Sequence, residues 1–206
     1  MRHPLLGAYR RGLAFFYPYG IMTFYWFSEL YPLEFTGTGK GAALCVVLLG
    51  MFGLSLLQAL VWAFLFVVGD ILMRRVFTES SRKYAILLYP FIWVIFEWTQ
   101  AQTWAGVPWG KLALGQTSCL PIIQSSSLLG PYFVSFIIIL TSSLIALVSV
   151  LLSAKDLKKS LLPIFAAVFV FAANVTFGAV RINLLENQSS ENTCLLYTSP
   201  SPRDRQ

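Results

Sequence analysis

The sequence predicts an all-α, polytopic membrane helical bundle with about five transmembrane helices plus an outer re-entrant or interfacial loop. Three observations predict it. Of 206 residues, 57% are hydrophobic and 12% charged, and the mean hydropathy is +0.69; a soluble domain carries about 25% charged and about 45–50% apolar residues. Apolar segments close to or above the ~20 residues needed to cross a bilayer core recur about five times. Lys and Arg collect in every second connection, the pattern by which basic loops stay cytoplasmic. A water-soluble globule is excluded, and so is intrinsic disorder, which needs low hydrophobicity. The formal charge of +6 therefore orients helices against membrane lipid, and no nucleic-acid partner is expected.

The first segment runs from about Gly12 to Leu30 and is dense in aromatic residues, with Pro18 inside it as a kink. Residues 1–11, with Arg2, Arg10 and Arg11, precede it as a basic cytoplasmic arm. The second runs from about Gly41 to Met73. As one helix it would reach roughly 50 Å against a core of about 30 Å, so it must tilt or project. The third runs from about Tyr84 to Trp104 and contains Glu97. The fourth is about Ser127 to Leu152 and the fifth about Ser160 to Val180, so the transmembrane domain covers 12–180. Residues 181–193 lose the apolar run and read as an extracytoplasmic linker.

Charges in the connections set the orientation. Arg74, Arg75, Arg82 and Lys83 mark one connection, and Lys155, Lys158 and Lys159 another. The stretch 31–40 holds Glu34 and Lys40, and 105–126 holds only Lys111. The N-terminus, 74–83 and 153–160 are then cytoplasmic; 31–40, 105–126 and the C-terminal end lie outside. No cleavable signal peptide opens the chain. Residues 194–206 (Cys194 to Gln206) resemble the conceptual translation of a sequencing-library adapter and are set aside from fold reasoning.

Chemistry-bearing residues are few. The single histidine, His3, has no cluster around it, and three cysteines without paired spacing give neither a disulfide framework nor a zinc pattern. No metal or cofactor is expected. Cys45 lies in an apolar span, where a thiol is unreactive, and Cys119 has no acidic residue or histidine near it in sequence. The unusual stretch is 96–116. Glu97 within a spanning helix costs roughly 2.5–3.5 kcal/mol at the helix centre and must find a partner; Gln100, Gln102 and Lys111 are the donors at hand. Gly106-Val107-Pro108-Trp109-Gly110 cannot continue a helix, and broken backbone at membrane depth persists only where protein or water satisfies it. Trp98, Trp104 and Trp109 suit an interface as anchors. These residues by themselves allow a structural interhelical bond or a polar contact lining a lipid-accessible cavity.

Glu97-Trp98, then Gly106 to Gly110 and Leu114-Gly115-Gln116, resemble the membrane-domain signature of the bacterial apolipoprotein N-acyltransferase family. Pro121, Ser127-Leu128-Leu129-Gly130 and Tyr132 to Phe136 continue the likeness in register. Upstream, Tyr25-Trp26-Phe27, Leu30 to Leu33 and Gly53 to Gln58 resemble its earlier helices. The likeness covers most of 12–180. It departs at Gln100, where many members carry arginine shortly after the Glu-Trp pair.

The resemblance implies transfer of an acyl chain from a phospholipid donor to the N-terminal diacylglyceryl-cysteine of a lipoprotein acceptor, in lipoprotein biosynthesis at the bacterial inner membrane. In the family a nitrilase-like domain with a Glu–Lys–Cys triad performs the chemistry through a thioester. No catalytic residue of that triad matches within this chain. The chain is expected to be the membrane domain alone, inactive by itself, with two further spans preceding it and the catalytic domain following residue 193. Glu97, Gly106, Pro108, Trp109 and Gln116 are the candidate substrate-binding residues. A non-catalytic alternative, a transporter subunit or lipid-binding scaffold, stays open at this point.

Overall fold

The computed structural model describes residues 4–34, 37–78, 81–102 and 110–189. Helix α1 (Pro4–Thr23) begins earlier than the first apolar segment and ends sooner. Pro4 is harmless in the first turn, where its missing N–H is not needed, and no strong breaker follows until Pro18, which the helix absorbs. Arg10 and Arg11 thus lie on α1 itself rather than on a separate arm. The 3-10 turn Tyr25–Leu30 follows.

The next leg is continuous over Lys40–Val76, 37 residues. It comprises α2 (Lys40–Leu48), a π turn at Leu49–Gly53, α3 (Leu54–Trp62) and α4 (Phe64–Val76). Its length is about 55 Å at 1.5 Å per residue. Arg74 and Arg75 occupy its last turn, where cations favour the helix dipole, and Arg74 Nε reaches Asp70 Oδ2 at 2.7 Å.

The third leg is not one α-helix. A 3-10 turn (Arg82–Leu88) leads into α5 (Tyr89–Gln102). Pro90 supplies the reason: it has no N–H to return to the turn before it, so regular α hydrogen bonding starts there. Beyond 110 come a 3-10 turn (Leu114–Gln116) and the short helices α6 (Leu120–Ile123) and α7 (Ser126–Leu129). The fourth apolar segment divides at Gly130, whose φ of +78° suits glycine. Helix α8 (Pro131–Ser153) starts after it, with proline in its first turn.

Helix α9 (Leu157–Ser189) runs through Pro163 and past the expected end of the fifth segment. Nothing between Arg181 and Ser189 breaks a helix, and Leu184, Leu185 and Glu186 favour one. The stretch expected as a linker therefore begins as helix. Residues 194–206 lie outside the described residues.

Within the described residues, all five apolar segments are helical. Among the described residues, three helices are long and apolar enough to cross a membrane: Lys40–Val76, Pro131–Ser153 and Leu157–Asn187. Helix α1 is diluted by arginine and tyrosine, and α5 is short. Outward faces carry large apolar side chains, such as Leu49 at 74% and Leu162 at 77% exposure, as a lipid-facing surface does.

Consecutive legs pack antiparallel. A Cβ on Gly12 would stand 2.7 Å from the Ala63 carbonyl oxygen and one on Gly20 would stand 3.0 Å from Ser55 Cα, so the partner leg runs down as α1 runs up; Tyr9 Oη donates to the Leu60 carbonyl at 3.0 Å. One core cluster joins Phe16, Ala59 and Phe96, and a smaller one joins Leu33, Ala43 and Val47. At one end of the bundle Lys83 Nζ meets Asp156 Oδ2 at 3.1 Å, tying the two basic connections together. At the other end Tyr19 Oη donates to the Gly110 carbonyl, bringing the 110–116 stretch onto the end of α1.

Candidate functional site

Glu97 stands on α5 one turn after Trp93, so the two side chains share a face. The carboxylate is 1% exposed. Its Oε1 accepts two hydrogen bonds, from Trp93 Nε1 at 2.9 Å and from the Leu112 backbone N–H at 2.8 Å. Its Oε2 is buried and has no partner among the described residues. The carboxylate therefore joins a helix to the loop that returns across the bundle end. Bonds to a charged acceptor contribute about 1.5–3 kcal/mol each, and an unpaired buried donor is costly, so the loop is fixed at Leu112.

The donors differ from those the sequence offered. Gln100, 3% exposed, gives Nε2 to Gln58 Oε1 at 3.3 Å instead. Lys111 places its ammonium 4.5 Å from the centroid of the Tyr132 ring, a cation–π contact rather than an ion pair. Gln102 is exposed. The reason is geometric: Trp93 reaches forward one turn along α5 to Glu97, while Gln100 points to the neighbouring leg. The absence of arginine at Gln100 is matched by this neutral amide pair.

Gly110 completes the cluster. A Cβ there would sit 3.3 Å from Tyr19 Oη and 3.4 Å from Thr23 Cγ2, so the backbone approaches α1 closely because the residue has no side chain. Below this polar level lies an apolar cavity of about 270 Å³, walled by Phe15, Phe66, Trp93, Phe96 and Ile139 among others. Trp93 belongs to both: its ring faces the cavity and its N–H holds the carboxylate.

Of the five candidates, Glu97 is central to this cluster. Gln116 is in a different place, lining a hollow with Ile122, Thr141, Ser142 and Asn174. Gly106, Pro108 and Trp109 lie outside the described residues, as does Trp104. Trp98 is 54% exposed on the outer face of α5, as an interfacial anchor would be. Cys45 corrects an expectation: it is exposed on the outer face of α2 rather than buried. Cys119 is exposed too, and no acidic or basic side chain bonds to it among the described residues. Sequence reasoning missed Tyr19, Gln58, Trp93 and Asn174. The four-residue spacing of Trp93 and Glu97 and the lone amide of Asn174 in an apolar run were usable signals; Tyr19 and Gln58 gave none.

Residues 3–144 match the family model for the apolipoprotein N-acyltransferase N-terminal domain. Among curated proteins, the apolipoprotein N-acyltransferase of Rickettsia typhi is 27% identical over 107 residues, which is 52% of this chain and 21% of that protein. The Rickettsia prowazekii protein of the same name is 26% identical over 118 residues, 53% of this chain and 24% of its own. That of Rickettsia bellii is 28% identical over 107 residues, 52% and 21%. The match thus spans less than a quarter of these relatives' length. No solved structure matches the chain.

Proposed function

The chain belongs to the apolipoprotein N-acyltransferase N-terminal domain family, and from that membership we propose that it is the membrane platform for acyl transfer from phospholipid to the N-terminal diacylglyceryl-cysteine of lipoproteins, a step of lipoprotein biosynthesis at the bacterial inner membrane. In that reaction the ester bond between acyl carbon and glycerol oxygen breaks. The acyl carbon bonds to the cysteine α-nitrogen, and the nitrogen's proton ends on the glycerol oxygen as a hydroxyl. A Cys thiolate outside the described helices carries the acyl group between the two.

The observation that carries this reading is the Glu97 clamp. It holds the 110–116 loop on the bundle end beside an apolar cavity, so that a lipid's polar region meets fixed backbone while its chains remain among helices. The basic connections gather at the opposite end, and by the basic-loop rule that end is cytoplasmic. All five legs then cross the membrane, and the loop faces outward. Glu97 positions this face, and a substrate-binding role for Gly106, Pro108, Trp109 and Gln116 rests on the sequence resemblance. Glu97 is a positioning residue, since its bonded oxygen is occupied by Trp93 and Leu112.

The helices alone do not perform the transfer, on this reading. The test is expression of residues 1–193, with and without the genomic sequence that follows, in cells depleted of their own N-acyltransferase. Mass spectrometry of lipoprotein N-termini is the readout. The longer product is expected to restore N-acylation and the helices alone to leave it absent. Restoration by the helices alone would overturn the division of labour. Failure of both, with the longer product present in the membrane, would favour a scaffold or transporter subunit.

A further inference from the structure

Helices α8 and α9 enclose two adjoining hollows. The one nearer the loop, about 190 Å³, lies against α6 and is lined by Gln116, Ile122, Ile138, Thr141, Phe171 and Asn174 among others. The second, about 280 Å³, is apolar and continues between the helices past Ile145, Val148, Ile164 and Val168. Thr141 and Phe171 line both, so the hollows are successive parts of one groove.

The chemistry of the first hollow is one-sided. Asn174 is 6% exposed and donates Nδ2 to the Ile122 carbonyl at 3.1 Å. A carbonyl only accepts, so this bond fixes which end of the amide is oxygen. The Oδ1 is buried with no partner among the described residues. Thr141 and Ser142 have spent their hydroxyl protons on the carbonyls of Ile137 and Ile138, each at 2.9 Å. They offer the hollow lone pairs alone. Among the described lining residues the remaining side-chain donors are the second N–H of the Asn174 amide and the Gln116 amide. A buried acceptor of this kind calls for a donor from outside.

Water would answer the acceptors but not the shape. Each water takes roughly 30 Å³ and needs two to four polar partners, and the second hollow has only Thr141, shared with the first, to give. A molecule with one aliphatic chain and a hydrogen-bond donor near its polar end fits both parts. Acyl transfer makes such a molecule: the glycerol region of a diacyl phospholipid holds ester acceptors, and loss of one acyl group leaves a hydroxyl there. We propose that the α8–α9 groove binds the lysophospholipid that transfer releases, its glycerol hydroxyl donating to Asn174 Oδ1 and its remaining chain lying along Ile145, Ile164 and Val168. The identity of the occupant rests on the acyl-transfer reading; the demand for a donor does not.

The test uses the full chain in non-ionic detergent, with binding read by native mass spectrometry. The probes are 1-O-octadecyl-glycerophosphocholine and its 2-O-methyl ether, which differ in the donor alone. The hydroxyl form is expected to bind at least about fivefold tighter, the size of one hydrogen bond. Asn174→Leu is expected to erase the preference, and Val168→Trp, which fills the chain groove, to weaken both probes alike. Equal binding of the two probes to the unmodified chain, or binding of neither, overturns the assignment and leaves a water-filled hollow; this holds even if Asn174→Leu fails to fold. If the preference is absent while the longer product still N-acylates lipoproteins, only the site assignment falls. If the preference is present and the longer product is inert, the acyl-transfer reading falls and the groove serves a lipid hydroxyl of other origin.

Discussion

In the half of the bundle built from α1, α3, α4 and α5, the Glu97 carboxylate takes two hydrogen bonds and Gln100 pairs with Gln58. Around them Phe16, Trp93 and Phe96 pack with ring centroids 5.1–6.3 Å apart. In the α8–α9 hairpin, Asn174 keeps an unpartnered oxygen at a hollow, and Ser142, Ser149 and Ser153 turn their hydroxyls back on their own helix. No ring contact joins α8 to α9 among the described residues. The first half uses polar groups to fix a loop. Both halves keep a buried oxygen without a partner among the described residues, Glu97 Oε2 in the first and Asn174 Oδ1 in the second, and both border apolar hollows. They differ in that the first ties a loop to a helix through two hydrogen bonds on one carboxylate, while the second rests on a single amide bond to the Ile122 carbonyl.

The comparison breaks most visibly at Glu97. Glu97→Leu leaves the Trp93 indole and the Leu112 N–H unpaired, at about 1–3 kcal/mol each. Thermal unfolding in detergent is expected to lose about 2–5 kcal/mol, and Glu97→Gln, which keeps an acceptor, less than half of that. A loss for Glu97→Leu no larger than for a lipid-facing substitution such as Leu162→Ala would show the first half is not held this way. Next comes Gly12→Leu. Its Cβ would meet the Ala63 backbone, with the carbonyl oxygen at 2.7 Å and Cα at 2.8 Å, and overpacking costs about 1–3 kcal/mol. The same measurement checks it.

The contrast sharpens at Asn174→Leu. One hydrogen bond is lost, but an orphan oxygen goes with it, so stability is expected to change by about 1 kcal/mol or less. A loss as large as that of Glu97→Leu would place both halves in one class. The smallest effect concerns Asp156. The hydrogen bond from Lys83, then the charges of Lys159 and Lys83, hold its carboxyl below the usual carboxylate range. Because the folded value is depressed, this contribution is present above about pH 4 and fades as pH falls through the folded value. Lys83→Met is therefore expected to lower the unfolding temperature slightly at pH 7 and not at all near pH 2; an equal shift at both would remove the pair from the account.

The helical membrane class was legible because it rests on composition and on runs of apolar residues, which no packing detail alters. The grouping of 74–83 with 153–160 was legible from charge alone, and the Lys83–Asp156 contact joins them in space. Element ends were less so: Pro90 and Gly130 split apolar runs that periodicity treats as continuous, while Pro18 and Pro163 do not end theirs. Glu97 announced itself as a charge in an apolar run. Its partners did not, because Leu112 contributes a backbone N–H that no side-chain pattern encodes. Cys45 misled for a related reason: within a lipid-facing helix, an apolar neighbourhood in sequence does not mean burial in protein.

The account depends on the carboxylate of Glu97 holding the 110–116 loop to α5 through Leu112. Amide hydrogen exchange at Leu112, measured on the full chain in lipid nanodiscs, reads that bond alone. Exchange is expected to be slow in the unmodified chain and in Lys83→Met, and at least about tenfold faster in Glu97→Ala, which corresponds to about 1.4 kcal/mol of lost protection. Equal exchange at Leu112 with and without the carboxylate would contradict it.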